Sequence, residues 1–265
     1  KRQIMTMAER VLTEQIPHGP ISIGFTPDEE VGRGADHFDV EKFDADFAYT
    51  MDGDTEGEIQ YENFNAADAI FEIKGINVHP GSAKDVMVNA ALVAMEINAA
   101  LPCGETPADT EDYEGFYHLV SMSGDVACAK LHYIVRDHDA DKFASRLETL
   151  KEISKQMNLK WGFGTVKLTI DEQYRNMAEI IEDGNMHLIE NAKKACEAAD
   201  VTPLILPIRG GTDGARLSFM GLPCPNLGTG GHGYHGPFEH ITAEGMDKAV
   251  DVMIELVKLY ADMKA

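Results

Sequence analysis

Residues 116–136 read "FYHLVSMSGDVACAKLHYIVR", and this stretch decides the fold. Ala127, Ala129, Leu131, Tyr133 and Val135 recur at every second position, the period of a strand with one face in a core. The run over 116–121 predicts a second strand, with Gly124 turning the hairpin between the two. Upstream, "AIFEIKG" at 69–75 sets Phe71 and Ile73 against Glu72 and Lys74 as a further strand, and a helix is predicted over 86–101. Downstream, Phe143, Leu147, Leu150 and Met157 share one helical face, and Val166, Leu168 and Ile170 form a last strand. The order β-α-β-β-α-β is that of the ferredoxin-like sandwich, an α+β unit whose termini lie close together and which therefore inserts easily into another domain.

The flanks read differently. A first helix carries Ile4, Met7, Ala8, Val11 and Leu12; Ile21, Ile23 and Phe25 then alternate with Ser22 and Gly24, predicting a strand that Pro27 ends. "FAYTMDGD" at 47–54 predicts a buried strand ending in Asp52 and Gly53. Past 176, helices over 186–199 and 245–263, the latter after a Thr242 cap, interleave with the short apolar strands "PLILPI" and "CPNLG". The expected architecture is a discontinuous α/β domain, 1–63 plus 176–265, interrupted by a smaller domain over 64–175.

Composition bounds the function. The chain of 265 residues is 44% hydrophobic, enough for real cores, and its 23 basic against 45 acidic residues give a formal charge of −22 that repels nucleic acid and anionic membranes. No apolar run approaches the length of a membrane span, and no secretory h-region opens the chain. Cys103, Cys128, Cys196 and Cys224 form no C-x-x-C pair, which argues against a structural zinc ribbon or a disulfide framework and for a reducing, cytoplasmic setting. Lys1 falls inside a helical pattern, so a segment is expected to precede it.

The chemistry-bearing residues gather at predicted strand ends. Glu29 and Glu30 stand side by side before Gly32 and Gly34; Asp52 ends the next strand; His232, His235 and His240 share a glycine-rich loop. Carboxylates with imidazole are the donors of a catalytic zinc or related metal, although a solvated acidic turn and capping histidines read equally well from pattern alone. Gly228, Gly230 and Gly233 spell G-x-G-x-x-G, but no helix is expected directly after them and no acid stands at the ribose distance, so they are no dinucleotide site. The H-x-D triplet at 37–39 reads as a polar link facing solvent, His138 as part of a helix N-terminus, and Thr212 with Asp213 as a helix start.

A resemblance narrows this. "TPDEEVGRGA", "TMDGD", "VHPGSAKDVMVNA", "EGFYHL", "LHYIVRD", "IRGGTDGARLSFMGLPCPNLGTGG" and "YHGPFEH" together resemble the zinc-dependent M20 peptidases, in their tripeptide-aminopeptidase branch. The resemblance implies two zinc ions, with Glu30 and His235 ligating one, Asp52 the other, and Glu29 acting as the general base. It also answers why two acids adjoin: nearby cations offset their repulsion, and a base that ligated metal would lose its proton affinity. His79 in "NVHPG" resembles a histidine that reaches the site from a partner subunit, which implies a homodimer through the 64–175 domain, the family's lid. Arg136 and Arg209 suit the terminal carboxylate of a short peptide or, equally, a structural ion pair; Asn89 and the 210–213 turn read as substrate contacts or as packing and helix caps. The family's H-x-D-T motif and its bridging Asp are not found; their expected place is before Lys1, so the resemblance covers the later two-thirds of such an enzyme and implies that 1–265 alone is inactive. A non-catalytic dimerising or peptide-binding module is the alternative, as is a carboxypeptidase or acylase of the same family.

Overall fold

In a computed structural model of the chain, residues 1–261 are described, the Val31 side chain aside. The elements open with α1 (Arg2–Thr13), α2 (Val40–Phe43), β1 (Thr50–Gly53), β2 (Glu58–Gln60), β3 (Asn65–Lys74), α3 (Ala90–Ala99), β4 (Phe116–Gly124) and β5 (Cys128–Asp137). They continue with α4 (Ala140–Trp161), β6 (Val166–Tyr174), α5 (Ala178–Glu182), α6 (His187–Ala198), β7 (Leu204–Ile205) and α7 (Asp213–Phe219). The last are β8 (Asn226–Gly228), β9 (Gly231–His232), β10 (His240–Ile241) and α8 (Ala243–Ala261). The chain divides into two units, Lys1–Asn63 with Asn176–Ala265, and Phe64–Arg175.

The second unit is an antiparallel sheet ordered β4-β5-β3-β6. Register pairs Phe71 with Leu131 and Ile73 with Ala129, so the alternation of both strands falls on one face. That face buries Phe71, Ile73, Leu131, Tyr133 and Val135 against Val93 and Ile97 of α3 and Phe143, Leu147, Leu150 and Met157 of α4. Gly124, at φ +148, makes the hairpin turn, and Asp125 Oδ1 secures it by accepting from the Ala127 and Cys128 amides at 2.7 and 3.1 Å. Asp139 caps α4 by accepting from Lys142 N. His138 beside it is buried against the rings of Phe64 and Tyr113.

The first unit holds the sheet β1-β8-β2-β7, in which β1 runs parallel to β8, β8 antiparallel to β2, and β2 parallel to β7. Ile59 and Leu227 of this sheet pack under Leu188, Ile189 and Ala192 of α6 and Val252 and Leu256 of α8. Met7 and Val11 of α1 pack on Val250, Met253 and Ile254 of α8. A small cluster of Ala35, Leu217, Leu222 and Cys224 ties the segment before α2 to α7.

Three readings of the sequence are corrected. The buried strand expected over 47–54 is the four-residue edge strand β1, half-buried at Thr50 and Met51, exposed at Asp52 and buried only at Gly53, because one side of it has no neighbouring strand among the described residues. The strand expected over 21–25 is irregular chain with Ile21, Ile23 and Phe25 exposed at 40%, 38% and 46%, and none of the described residues pairs with it. Alternation specifies a face, but a strand forms only where a partner takes its hydrogen bonds. "PLILPI" supplies just two strand residues, Leu204–Ile205, because prolines on both sides remove ladder donors. The helix expected to reach Met263 is α8, described to Ala261; Met263 lies outside the described residues.

Candidate active site

The acidic pair sits in a tight, strained turn. Glu29–Val31 is a single 3-10 turn between Asp28 at φ 59 and Gly32 at φ 70, both in the left-handed region. Gly32 N donates to Glu29 O at 2.6 Å and Arg33 N to Asp28 O at 3.1 Å. A non-glycine residue held at positive φ is the kind of strain that surrounding structure must fix in place. Here α7 does so: Thr26 Oγ1 donates to Asp213 Oδ2 at 2.8 Å, a Cβ added at Gly34 would overlap the Asp213 carboxylate, and Arg216 pairs with Asp36.

Asp52 lies on β1, and the parallel pairing of Met51 with Leu227 brings the glycine-rich loop after β8 alongside it. The Asp54 carbonyl accepts from the amides of Thr229, Gly230 and Gly231 at 3.1, 2.9 and 3.1 Å, which fixes the start of that loop. Asp52 Oδ2 accepts from Thr212 Oγ1 at 3.2 Å, and Thr212 in turn accepts from Asn226 Nδ2 at 3.1 Å. His235 stands at φ 58, its amide donating to Glu239 Oε2 at 3.0 Å. Its Nε2 lies 3.6 Å from Glu30 Oε2, both side chains exposed.

The electrostatics divide the acids. Partial burial pushes the Glu29 carboxyl up to about 7, and the negative charges of Asp52, Asp213 and Glu30 add to this while His235 opposes it. Burial also raises Asp52, against the hydrogen bond from Thr212. A carboxyl near 7 both takes and returns a proton at neutral pH. The oxygen and imidazole donors of Glu30, His235 and Asp52 suit a zinc-like cation, and clustered carboxylates favour one. Among the described residues no group of three or more His, Cys, Asp and Glu is drawn together closely enough to hold a metal ion, so Glu30 and His235 form a two-donor part of such a site.

The remaining sequence candidates fall in several places. In the first unit Arg209 is half-buried between β7 and α7. In the second unit His79 is exposed before the 3-10 turn Pro80–Ser82, its Nδ1 accepting from Gly81 N at 3.1 Å, which leaves Nε2 to carry the proton of the neutral ring. Asn89 caps α3, its Oδ1 accepting from Ala91 N and Leu92 N at 3.1 and 3.3 Å. Arg136 lies over the Tyr174 ring, 5.8 Å from its centroid. Asp39 of the H-x-D triplet caps α2, and His232 stacks near His240 across the β9–β10 hairpin, ring centroids 5.3 Å apart. The sequence reading missed that Asp213 and Thr26 join the Glu29 loop; a Thr-Asp pair before a helix looks like a cap, and only the fold reveals the second contact.

The family model for peptidase family M20/M25/M40 matches residues 1–259. The chain belongs to this family. Among curated relatives, Peptidase T of Clostridium novyi strain NT is 53% identical over 260 residues, which are 98% of this chain and 64% of that protein. Peptidase T of Desulfitobacterium hafniense strain DCB-2 is 54% identical over 261 residues, 98% of this chain and 63% of the relative. The chain thus spans somewhat less than two thirds of the length of these relatives. Two solved structures share its fold at a TM-score of 0.86: an aminopeptidase from Bacillus cereus ATCC 10987, 24% identical over 98% of this chain and 69% of its own, and a tripeptidase from Staphylococcus aureus Mu50, 21% identical with the same coverage. A Bacillus subtilis protein described as a dinuclear metal binding M20 peptidase matches at TM-score 0.69 and 14% identity, covering 99% of this chain and 71% of its own.

Proposed function

We propose that the protein carrying this chain is a zinc-dependent aminopeptidase of family M20 that releases the N-terminal residue of tripeptides, with Glu29 as its general base. The observation that carries this reading is the geometry of the acidic turn: Glu29 and Glu30 adjoin on one 3-10 turn, and Glu30 Oε2 lies 3.6 Å from His235 Nε2. Relatives named Peptidase T at 53% and 54% identity support the peptide substrate. Glu30 and His235 would hold one of two zinc ions and Asp52 the other; when bound, the metal supplies Lewis-acid polarisation of the scissile carbonyl and the attacking water. Glu29 accepts a proton from that water at its carboxylate and returns it to the nitrogen of the departing dipeptide. Thr212, donating to Asp52 Oδ2, aims that carboxylate from behind.

Peptide-binding roles fall to Arg209 in the first unit and, in the second, to Arg136 as a guanidinium for a carboxylate, to His79 acting from a second subunit through its Nε2–H, and to Asn89 through the amide its cap leaves over. The protein acts in the cytoplasm as a homodimer formed through the Phe64–Arg175 unit. Support for that surface comes from the exposed Leu92 and Met95 on α3 and Val120 and Met122 on the edge strand β4. The test is a panel of tripeptides with free and acetylated N-termini, the products identified by mass spectrometry. Release of the first residue from free peptides alone is expected; release of the C-terminal residue, or cleavage of acetylated peptides at the same rate, overturns the assignment.

A further inference from the structure

Asp213 stands at the first position of α7, yet it is not the residue that caps it. Thr212 does that, its Oγ1 accepting from Gly214 N at 3.3 Å. Asp213 is only 5% exposed, and its carboxylate turns instead to the loop that carries the acidic pair. At the loop's entry it accepts the Thr26 hydroxyl at 2.8 Å. At its exit the Gly34 backbone passes so close to both carboxylate oxygens that any Cβ there would overlap them. Gly34 is therefore required by close approach, since its φ lies outside the left-handed region. Between these two points lie Glu29 and Glu30, with Asp28 and Gly32 at positive φ.

A buried carboxylate is an expensive way to hold one hydroxyl, because desolvating a charge disfavours the fold and a neutral Asn would accept the same bond. Such an arrangement makes sense where the short charge-assisted bond fixes something that must not drift. We infer that Asp213 is a positioning residue: it ties the entry of the 26–34 loop to α7 through Thr26, packs against its exit at Gly34, and so holds Glu29 at the geometry its role requires. The inference rests on Glu29 being the base, but the pinning itself is a property of the loop and is measurable without substrate.

The experiment compares T26V, which removes the hydroxyl and keeps the shape, T26S, which keeps the hydroxyl, D213A, and T26V/D213A in the full-length protein. Amide hydrogen exchange at Gly32 and Arg33 is read beside kcat and KM on a free tripeptide. T26V and D213A are each expected to speed exchange at these two amides by about tenfold or more while leaving α8 amides unchanged, and to lower kcat by about tenfold or more with little change in KM. T26S should restore most of both, and the double variant should be no worse than D213A alone. Unchanged exchange in T26V, or additive losses in the double variant, overturns the inference. If D213A does not fold, T26V against T26S decides it alone. If the parent cleaves no peptide while exchange still responds as expected, the catalytic assignment of Glu29 fails and the pinning stands.

Discussion

Replacing Glu29 by Gln in the metal-free chain should make it more stable, and only at neutral to alkaline pH. In the folded chain the Glu29 carboxyl is raised from 4.5 to about 7, burial being the main cause and the charges of Asp52, Asp213 and Glu30 the rest. Between these values the folded state keeps a proton that the unfolded state has released, so stability falls as pH rises through the window and the full penalty is present above it. A rise of this size corresponds to at most about 3.5 kcal/mol, at about 1.4 kcal/mol per pH unit. Glu29 is partly open to water, which screens the interaction, so about 1–2 kcal/mol is the expected penalty. Gln matches the protonated acid in shape and carries no charge. E29Q should therefore melt with the parent at pH 4.5 and above it at pH 8, by about 2–8 °C, for the transition of the unit that holds residue 29. Calorimetric melting in the presence of a chelator measures this. A gain of equal size at both pH values, or none at pH 8, would refute the electrostatic account of the acidic turn.

Four further outcomes follow from the same structure. G34A should destabilise the first unit and slow peptide turnover, because the new Cβ forces the Asp213 carboxylate to shift away from the position where it holds Thr26; thermal melting and kcat measure the two effects. H235G should raise metal-free stability by about 1 kcal/mol by relieving the positive φ of His235, whereas H235A should not, and denaturant titration distinguishes them. D137A removes a carboxylate only 1% exposed that accepts from Arg146 Nε at 2.8 Å, and should cost the second unit about 3 kcal/mol or more in a urea melt. L131A, in the fully buried centre of the β3–β5 core, should cost about 2–5 kcal/mol by the same melt.

Most of the regular structure is legible in the sequence because its periods are clean. Phe71 and Ile73 alternate with Glu72 and Lys74, and the first two are buried while the second two are exposed. Phe143, Leu147, Leu150 and Met157 recur on one face of α4, and all four are in the core. The run Ile21–Phe25 obeys the same period and misleads, because alternation is blind to whether a hydrogen-bonding partner is at hand. At the site, Glu29 and Glu30 stand out by adjacency alone. Their neighbour His235 arrives only through the parallel β1–β8 pairing and the three amides that close on the Asp54 carbonyl. Asp213 is harder still: its partner Thr26 is 187 positions away in sequence, and its local setting is that of any helix start. Propensity marks elements, whereas a carboxylate that meets two ends of a distant loop is a product of tertiary packing.

The division of labour between the two adjacent glutamates is the centre of the account, and one measurement addresses it directly: tripeptide turnover by E29Q and by E30Q in the full-length protein, each with its zinc content determined on the same sample. E29Q should hold zinc at the parental level and lose turnover by about 10²-fold or more, while E30Q should lose zinc, since Glu30 faces His235 at 3.6 Å and Glu29 does not. An E29Q protein that keeps both its zinc and its turnover, or two variants that lose zinc alike, would contradict the assignment of base and ligand.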